Sequence, residues 1–294
     1  LDSSILAEIA RPSQTVTVVW DDNSPDLRYA RRIALMQRTK HTEVSLNRKG
    51  YLSKVLRTVI GSLKTFSPIE VRNSVVSCAG LMVAKQLGYE DVMTGDGCDE
   101  LFVGYKYLGK YFQDLDRLNY ELNRLWNIMQ FSSNVLSKTI GIGLMTPFLD
   151  SQFLSYATSI PLSKKIGEYS GNFWGKYILR KCFQSELGYD FAWRNKMAQE
   201  EGAGTVNLKT QFENGYDERT FGIKIRSALN ERVNISSKEQ LHYYEIFRSC
   251  YCPPANEECF DSRCPKCCGC VSSRDTYCKI CGSFPIIPIT LPHD

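Results

Sequence analysis

The sequence predicts an α/β fold on a parallel sheet, with a mainly helical second half and a small metal-binding module at its end. Three observations lead there. Short β-branched runs alternate with helical periodicities to about residue 105, the pattern of parallel strands joined by crossover helices. Strand signals then fade, and long helical stretches follow, as in 111–130 and 172–185. Finally, nine of the 12 cysteines fall between Cys250 and Cys281, with only Cys78, Cys98 and Cys182 outside that stretch. A terminal cluster of this kind suggests a metal module, whereas evenly spread cysteines suggest a disulfide framework.

The chain of 294 residues is 43% hydrophobic, so a core of ordinary size can form without staples. No apolar run approaches the roughly 18 residues of a membrane span, and no signal peptide is visible, so a soluble cytoplasmic protein is expected. A net charge of +4 is mild and does not by itself point to nucleic acid or membrane.

In order, residues 1–10 predict a helix, with Ile5, Leu6 and Ile9 on one face. Residues 14–20 are β-branched and short and predict a strand. A loop then runs to a second helix, with Ser24 as its expected N-cap, Pro25 at its first position and Asp26 favouring its positive end. Residues 42–46 predict a second strand and 70–87 another helix. Asp91–Thr94 is a third short strand, running into the loop Gly95-Asp96-Gly97-Cys98-Asp99-Glu100. Two later loops stand out, Thr146–Asp150 and Trp193–Lys196. From about residue 249 the text turns to cysteine, proline and turn residues, so two domains are expected, 1–248 and 249–294.

In open α/β sheets, ligands bind at the carboxyl ends of the strands, where the Gly95–Glu100 loop would lie. Glycine amides there can approach a phosphate. The carboxylates of Asp96, Asp99 and Glu100 would repel a bare phosphate, but they make sense beside Mg²⁺, which takes oxygen ligands and bridges to phosphates. Asp2 and Asp99 would then be the metal pair, with Lys196 and Arg72 supplying positive charge. The plainer alternative is a solvated acidic loop capping a helix.

Residues 1–247 resemble the synthetase domain of glutamine-dependent asparagine synthetases, a member of the ATP pyrophosphatase group of Rossmann-like α/β folds. Leu1-Asp2-Ser3-Ser4 resembles the second half of that group's Ser-Gly-Gly-x-Asp-Ser-Ser phosphate loop. Ser24–Leu27, Gly95–Phe102 with Gly104-Tyr105, and Pro147-Phe148-Leu149-Asp150 match family segments. Lys176-x-x-Leu179-Arg180 and Trp193-Arg194-Asn195-Lys196 with Gly202-x-Gly204 follow in the family's order.

The resemblance implies an ATP-dependent amidoligase. It would activate a carboxylate, with aspartate expected, as an acyl-adenylate, release pyrophosphate and transfer the acyl group to ammonia. Asp2 and Asp99 would hold Mg²⁺. Leu1, Ser3, Ser4, Val19, Thr94, Gly95 and Gly97 would be nucleotide-binding positions. Lys196 would contact the phosphates, Arg72 the pyrophosphate or the acid, and Asp96 and Glu100 would sit beside the reacting carboxyl.

The chain departs from the family in four places. The Ser-Gly-Gly half of the phosphate loop and the strand before it are absent, so a gene fragment is expected, with a degenerate relative as the alternative. No glutaminase domain is present; ammonia would come free, from a separate subunit or from an upstream domain. Glu70 stands where a hydroxyl residue is usual, and Gly143-Leu144-Met145 replaces a more polar run.

Cys264-x-x-Cys267 and Cys278-x-x-Cys281, ten residues apart, have the spacing of a tetrahedral Zn²⁺ site. Disulfides or an iron–sulfur centre are the alternatives. Cys250, Cys252 and Cys259 with Cys268 or Cys270 are candidates for a second zinc site. From Cys250 to Asp294 four basic residues face five acidic ones, too little charge for a nucleic-acid finger. His41, His242 and His293 read as surface or capping histidines; Tyr105, Tyr107, Tyr111 and Phe112 as helix-packing aromatics; and Cys98 as a packing residue. Two other functions stay open: a tRNA-thiolating ATP pyrophosphatase with a zinc ribbon, and an inactive relative acting as an interaction protein. A small acid and ammonia are the expected partners, and neither a membrane nor nucleic acid is expected.

Overall fold

A computed structural model describes residues 1–48 and 50–290. His293 and Asp294 lie outside the described residues. The first third follows the predicted alternation: α1 (Asp2–Ala10), β1 (Gln14–Val19), α2 (Leu27–Gln37) and β2 (Lys40–Ser45). Next come α3 (Tyr51–Leu63), α4 (Pro68–Gln86), β3 (Asp91–Met93) and the single turn α5 (Cys98–Leu101). The helical stretch holds α6 (Leu115–Ile128), α7 (Ser132–Ile140), β4 (Gly143–Met145), α8 (Ser151–Ser159) and α9 (Leu162–Lys165). Strands β5 (Ile166–Tyr169) and β6 (Asn172–Gly175) lead to α10 (Tyr177–Leu187), α11 (Tyr189–Ala192) and α12 (Gln199–Gly202). The described residues continue with α13 (Asn207–Glu213), α14 (Glu218–Asn230), α15 (Lys238–Cys250) and the short strands β7 (Ser262–Arg263), β8 (Cys270–Val271) and β9 (Ile289–Thr290).

The α/β class with parallel strands holds. The Lys40 amide donates to the Ser13 carbonyl, and the Leu46 amide to the Val19 carbonyl, so β1 and β2 run the same way. β3 and β4 are also parallel, with Asp91 opposite Gly143 and Met93 opposite Met145. Among the described residues the parallel strands form these two pairs and no larger sheet. β4 has three residues, too few to show a period of two in the sequence.

Three local expectations change. Residues 172–175, read as the start of a helix, form the second strand of an antiparallel hairpin. Tyr169 faces Asn172, and the two loop residues, Ser170 and Gly171, both have positive φ (51° and 74°). That backbone matches the twist of paired strands, and the Phe173-Trp174 pair suits a strand. Ser24 does not cap α2; its hydroxyl donates to the Ala203 carbonyl at 2.9 Å. Ile9, in the last turn of α1, is two-thirds exposed, and the helix buries Ile5, Leu6 and Ala7 instead.

The chain divides into two compact units. The first comprises Leu1–Thr17, Pro25–Glu43 and Leu81–Ala198, and the second Val18–Ser24, Val44–Gly80 and Gln199–Asp294. In the first unit α1 is wedged between two apolar clusters. Ile5 and Ala7 join Ile33, Leu187 and Phe191 on one side, and Leu6 joins Cys98, Leu101, Phe102 and Phe148 on the other. This fixes α1, and the Asp2 it carries, against α5. In the second unit fully buried Phe66 packs edge-on against Tyr244 and Phe247 of α15, with ring centroids 4.9 and 5.3 Å away.

Gly171 has open space around it, so a methyl group there meets no neighbour, and any effect of Gly171→Ala is a backbone effect. Urea unfolding should show a loss of about 1 kcal/mol, the cost of left-handed backbone for a residue with a Cβ. An unchanged midpoint would remove the two-residue turn.

Candidate active site and cysteine module

The first unit gathers four charged side chains that are far apart in sequence. Asp2 lies in the first turn of α1 and Asp99 in α5. Lys176 sits between β6 and α10 with φ 55°, its amide donating to the Phe102 carbonyl at 2.7 Å. Its Nζ reaches both carboxylate oxygens of Asp2 (2.6 and 2.5 Å) and Oδ1 of Asp99 (2.7 Å). Lys196 Nζ lies 3.0 Å from Asp99 Oδ2. Lys176 is 3% exposed, so one buried ammonium bridges two carboxylates, and the partly exposed Lys196 pairs with the second of them.

Two glycines make the close approach possible. A Cβ on Gly104 would lie 1.8 Å from Asp99 Oδ1 and 2.3 Å from Lys176 Cε; one on Gly95 would lie 2.9 Å from Asp2 Cβ. Burial by itself would raise the Asp2 carboxyl, but the Lys176 ammonium outweighs it and holds the group well below the usual carboxylate range. Burial would likewise lower Lys176, and Asp2 together with Asp99 carries it above the ordinary lysine value.

A buried guanidinium ties the two lysine-bearing segments together. Arg180 donates from Nε to the Gly175 carbonyl (2.9 Å) and from Nη1 to the carbonyls of Ala192 (2.6 Å) and Arg194 (3.1 Å). Its plane lies 4.7 Å over the Trp174 ring. The residue before Lys176 and the loop before Lys196 are thus held by one side chain.

The family model described as asparagine synthase matches residues 1–135 and 129–251. The chain belongs to the asparagine synthase family. Asparagine synthetase B [glutamine-hydrolyzing] of Escherichia coli (strain K12) is 29% identical over 244 residues, 80% of this chain and 43% of that protein. The Gallus gallus and Homo sapiens asparagine synthetases [glutamine-hydrolyzing] are 29% and 30% identical over 276 and 277 residues, each 85% of this chain and 47% of the relative. The chain thus spans less than half the length of these relatives. The family model ends at residue 251, before the paired cysteine knuckles.

The other residues expected in the family's site fall into three groups. Asp96 accepts from Thr94 Oγ1 (3.0 Å) and from Ser133 Oγ; buried Glu100 accepts from Tyr105 Oη (2.5 Å). Each is held by hydroxyl donors rather than by the lysines. Burial raises the Glu100 carboxyl, and the Tyr105 bond partly offsets it. Tyr105 therefore does more than pack, and residues 106–111 form a 3₁₀ turn rather than an α-helix. Gly97 caps α5 and lies against Leu149, while Phe148 is buried beside Cys98, so the Pro147–Asp150 segment supports the loop from below. Ser4 is buried and Ser3 exposed at the start of α1. Val19 and Arg72 belong to the second unit. Val19 is 2% exposed, its carbonyl taken by the Leu46 amide. Arg72 pairs with Glu200 (2.5 Å) and with buried Glu239 (2.8 Å). His41 bonds Thr15 Oγ1 at 2.8 Å and His242 stacks on Phe212 with ring centroids 4.1 Å apart, so both are structural rather than surface histidines.

Sequence reasoning gave Lys176 and Arg180 no role. Both stand in the Lys-x-x-Leu-Arg segment, which was the available signal, but nothing in a sequence separates a buried lysine from a solvated one.

In the second unit Cys264, Cys267, Cys278 and Cys281 are buried, with all four Sγ atoms within 4.8 Å of one another. Cys264 and Cys281 lie 3.8 Å apart, Cys267 and Cys278 3.7 Å. A tetrahedral Zn²⁺ with Zn–S bonds of about 2.3 Å sets its sulfurs about 3.8 Å apart, so the donor set fits zinc. The second site differs from expectation: Cys259 and Cys270 are joined by a disulfide, Cys250 and Cys252 are exposed, and these residues with Cys268 form no metal-ligand group among the described residues. Cys270 faces Arg263 across β7 and β8, and the Cys259 Sγ lies 3.1 Å from the carbonyl of Ser262, the residue before Arg263.

Lys176→Met should remove the bridge and leave two carboxylates facing each other, at a loss of about 3–5 kcal/mol near neutral pH. In the wild-type protein Asp2 contributes stability above its ordinary pKa of 3.8, and that contribution is lost as pH falls below it. In the variant the sign reverses: Asp2 is raised, so the deficit should shrink as pH is lowered from about 7 to about 4. Denaturant titrations across that range check it; a deficit independent of pH would refute the bridging role.

Proposed function

We infer that this chain is the ATP-dependent synthetase part of an amide-forming ligase. It activates the side-chain carboxylate of aspartate and transfers the acyl group to ammonia. The observation that carries the reading is the Asp2–Lys176–Asp99–Lys196 cluster beside the Gly95–Glu100 loop, in a chain of the asparagine synthase family.

A carboxylate oxygen attacks the α-phosphorus of ATP, the bond to the bridging oxygen breaks, and pyrophosphate departs with the electron pair. Ammonia then attacks the acyl carbon, AMP leaves, and the nitrogen loses a proton. There is little covalent work for side chains here, so catalysis rests on positioning and on neutralising charge. Lys196, partly exposed and paired with Asp99, would turn its ammonium to the departing pyrophosphate. Lys176 is the buried counterpart that keeps two carboxylates together. Asp2 and Asp99 offer only carboxylate oxygens, a hard donor set that suits Mg²⁺, which when bound neutralises phosphate charge. Holding it would require the Lys176 ammonium to turn from the carboxylates toward phosphate oxygens. Glu100, raised by burial, can hold or release a proton at the carboxyl oxygen that Tyr105 does not engage, with the Tyr105 Oη bond to Oε1 fixing its direction.

Arg72 supplies the guanidinium for pyrophosphate or for the acid substrate. Ammonia comes free or from a glutaminase, by the glutamine-hydrolysing names of the relatives. The four buried thiols hold a structural zinc.

ATP–pyrophosphate exchange should depend on aspartate. Lys196→Ala should lower its rate about 100-fold or more, because an ammonium that meets charge in the transition state is lost. Stability should change by less than about 1 kcal/mol, since the residue is partly exposed. Near-normal exchange in the variant would remove Lys196 from the site, and exchange stimulated only by tRNA would overturn the ligase reading. Metal analysis should return one zinc per chain, and a fully folded module without metal would refute the zinc site.

A further inference from the structure

The cysteine module lies outside the matched family segment, yet its backbone is bonded to the segments that hold Arg72 in the second unit. The second knuckle contacts the turn before α4. The Phe66 amide donates to the Ile280 carbonyl at 2.8 Å, and Thr65 Oγ1 donates to the Lys279 carbonyl at 2.7 Å. Ser67 approaches Gly282 so closely that a Cβ on that glycine, which has φ 81°, would lie 2.3 Å from Ser67 Oγ. One turn later α4 carries Arg72.

The same knuckle grips the start of α15. Gln240, 4% exposed, donates from Nε2 to the carbonyl of the ligand Cys281 at 2.8 Å. The first knuckle adds a bond from the Asn234 amide to the Lys266 carbonyl at 2.7 Å. Glu239, beside Gln240, is 2% exposed and receives Arg72 Nη1 at 2.8 Å, while its other oxygen accepts from Tyr243 Oη at 3.0 Å.

We propose that the zinc module is a positioning device for Arg72. It holds the turn just before α4 and the first turn of α15, the two segments that bring Arg72 and its buried partner Glu239 together. Four buried thiols fold around a metal and do not pack at this separation without one, because thiolates repel and neutral thiols make weak contacts. The knuckle carbonyls of Lys279, Ile280 and Cys281 are oriented by that metal-dependent turn, so its loss releases three bonds at once. Arg72 would then be a guanidinium whose direction depends on zinc. Only the role of Arg72 toward pyrophosphate or acid rests on the proposed function; the physical coupling does not.

The test uses the full chain, zinc-loaded and after zinc removal by a thiol reagent with a chelator. Amide hydrogen exchange should accelerate at residues 66–72 and 238–241 on zinc removal, while residues 5–10 of α1 stay protected. Unchanged exchange at 66–72 and 238–241 overturns the proposal, and so does global loss of protection. Gln240→Met keeps all four ligands, so it should retain zinc and still raise the KM for pyrophosphate in the exchange reaction roughly tenfold, with kcat little changed. In Arg72→Ala the same Gln240→Met change should add nothing further, because both act through one guanidinium. An equal KM effect with and without Arg72 overturns the coupling. If the zinc-loaded wild-type chain shows no exchange reaction at all, the ligase reading fails, and the hydrogen-exchange result still decides the coupling.

Discussion

The first unit depends on one buried ammonium. Lys176 stands between Asp2 and Asp99, two carboxylates that would otherwise repel each other away from water. Removing ions from water costs several kcal/mol each, and only close geometry offsets it. That geometry comes from α1, α5 and the β5–β6 hairpin at once, so the charge cluster and the apolar core around Leu6, Phe102 and Phe148 hold each other in place. A buried ion pair is a poor source of net stability, but it has few alternative partners. It therefore fixes which segments meet, and it keeps two acidic groups side by side.

The second unit repeats the device with different residues. Arg72 is bracketed by Glu200 and Glu239, again one cation against two carboxylates. Arg180 does the opposite in the first unit: it is a buried guanidinium whose described bonds all go to backbone carbonyls, and it orients loops rather than balancing acids. The cysteine module belongs to the second unit by its bonds to the segments at 65–67 and 234–240. It is part of the packing of that unit and not an appendage on a linker.

Much of this was legible in the residues. Alternating short strands and helices announced the α/β class, because burial on one side imposes a period on each element. The Gly95–Glu100 loop and the four cysteines at 264, 267, 278 and 281 were readable because their chemistry lies in local spacing. The hairpin at 166–175 was not, although Ser170-Gly171 and the aromatic pair after it carried the signal, since a helix follows at once and dominates any window. The Cys259–Cys270 pairing was not readable either, because connectivity among many thiols depends on which strands lie side by side.

The roles of individual charges divide along the same line. By itself the sequence determined the family, the order of its motifs and the paired spacing of the four clustered cysteines, all of which are properties of neighbours along the chain. Only the tertiary structure decided that Lys176 bridges two acids, that Asp96 and Glu100 are engaged by hydroxyls, and that Arg72 shares its second carboxylate with a helix braced by the cysteine module. The reason is physical: a charged side chain takes its function from burial and from the opposite charges within a few ångströms, and neither can be computed from spacing along the sequence.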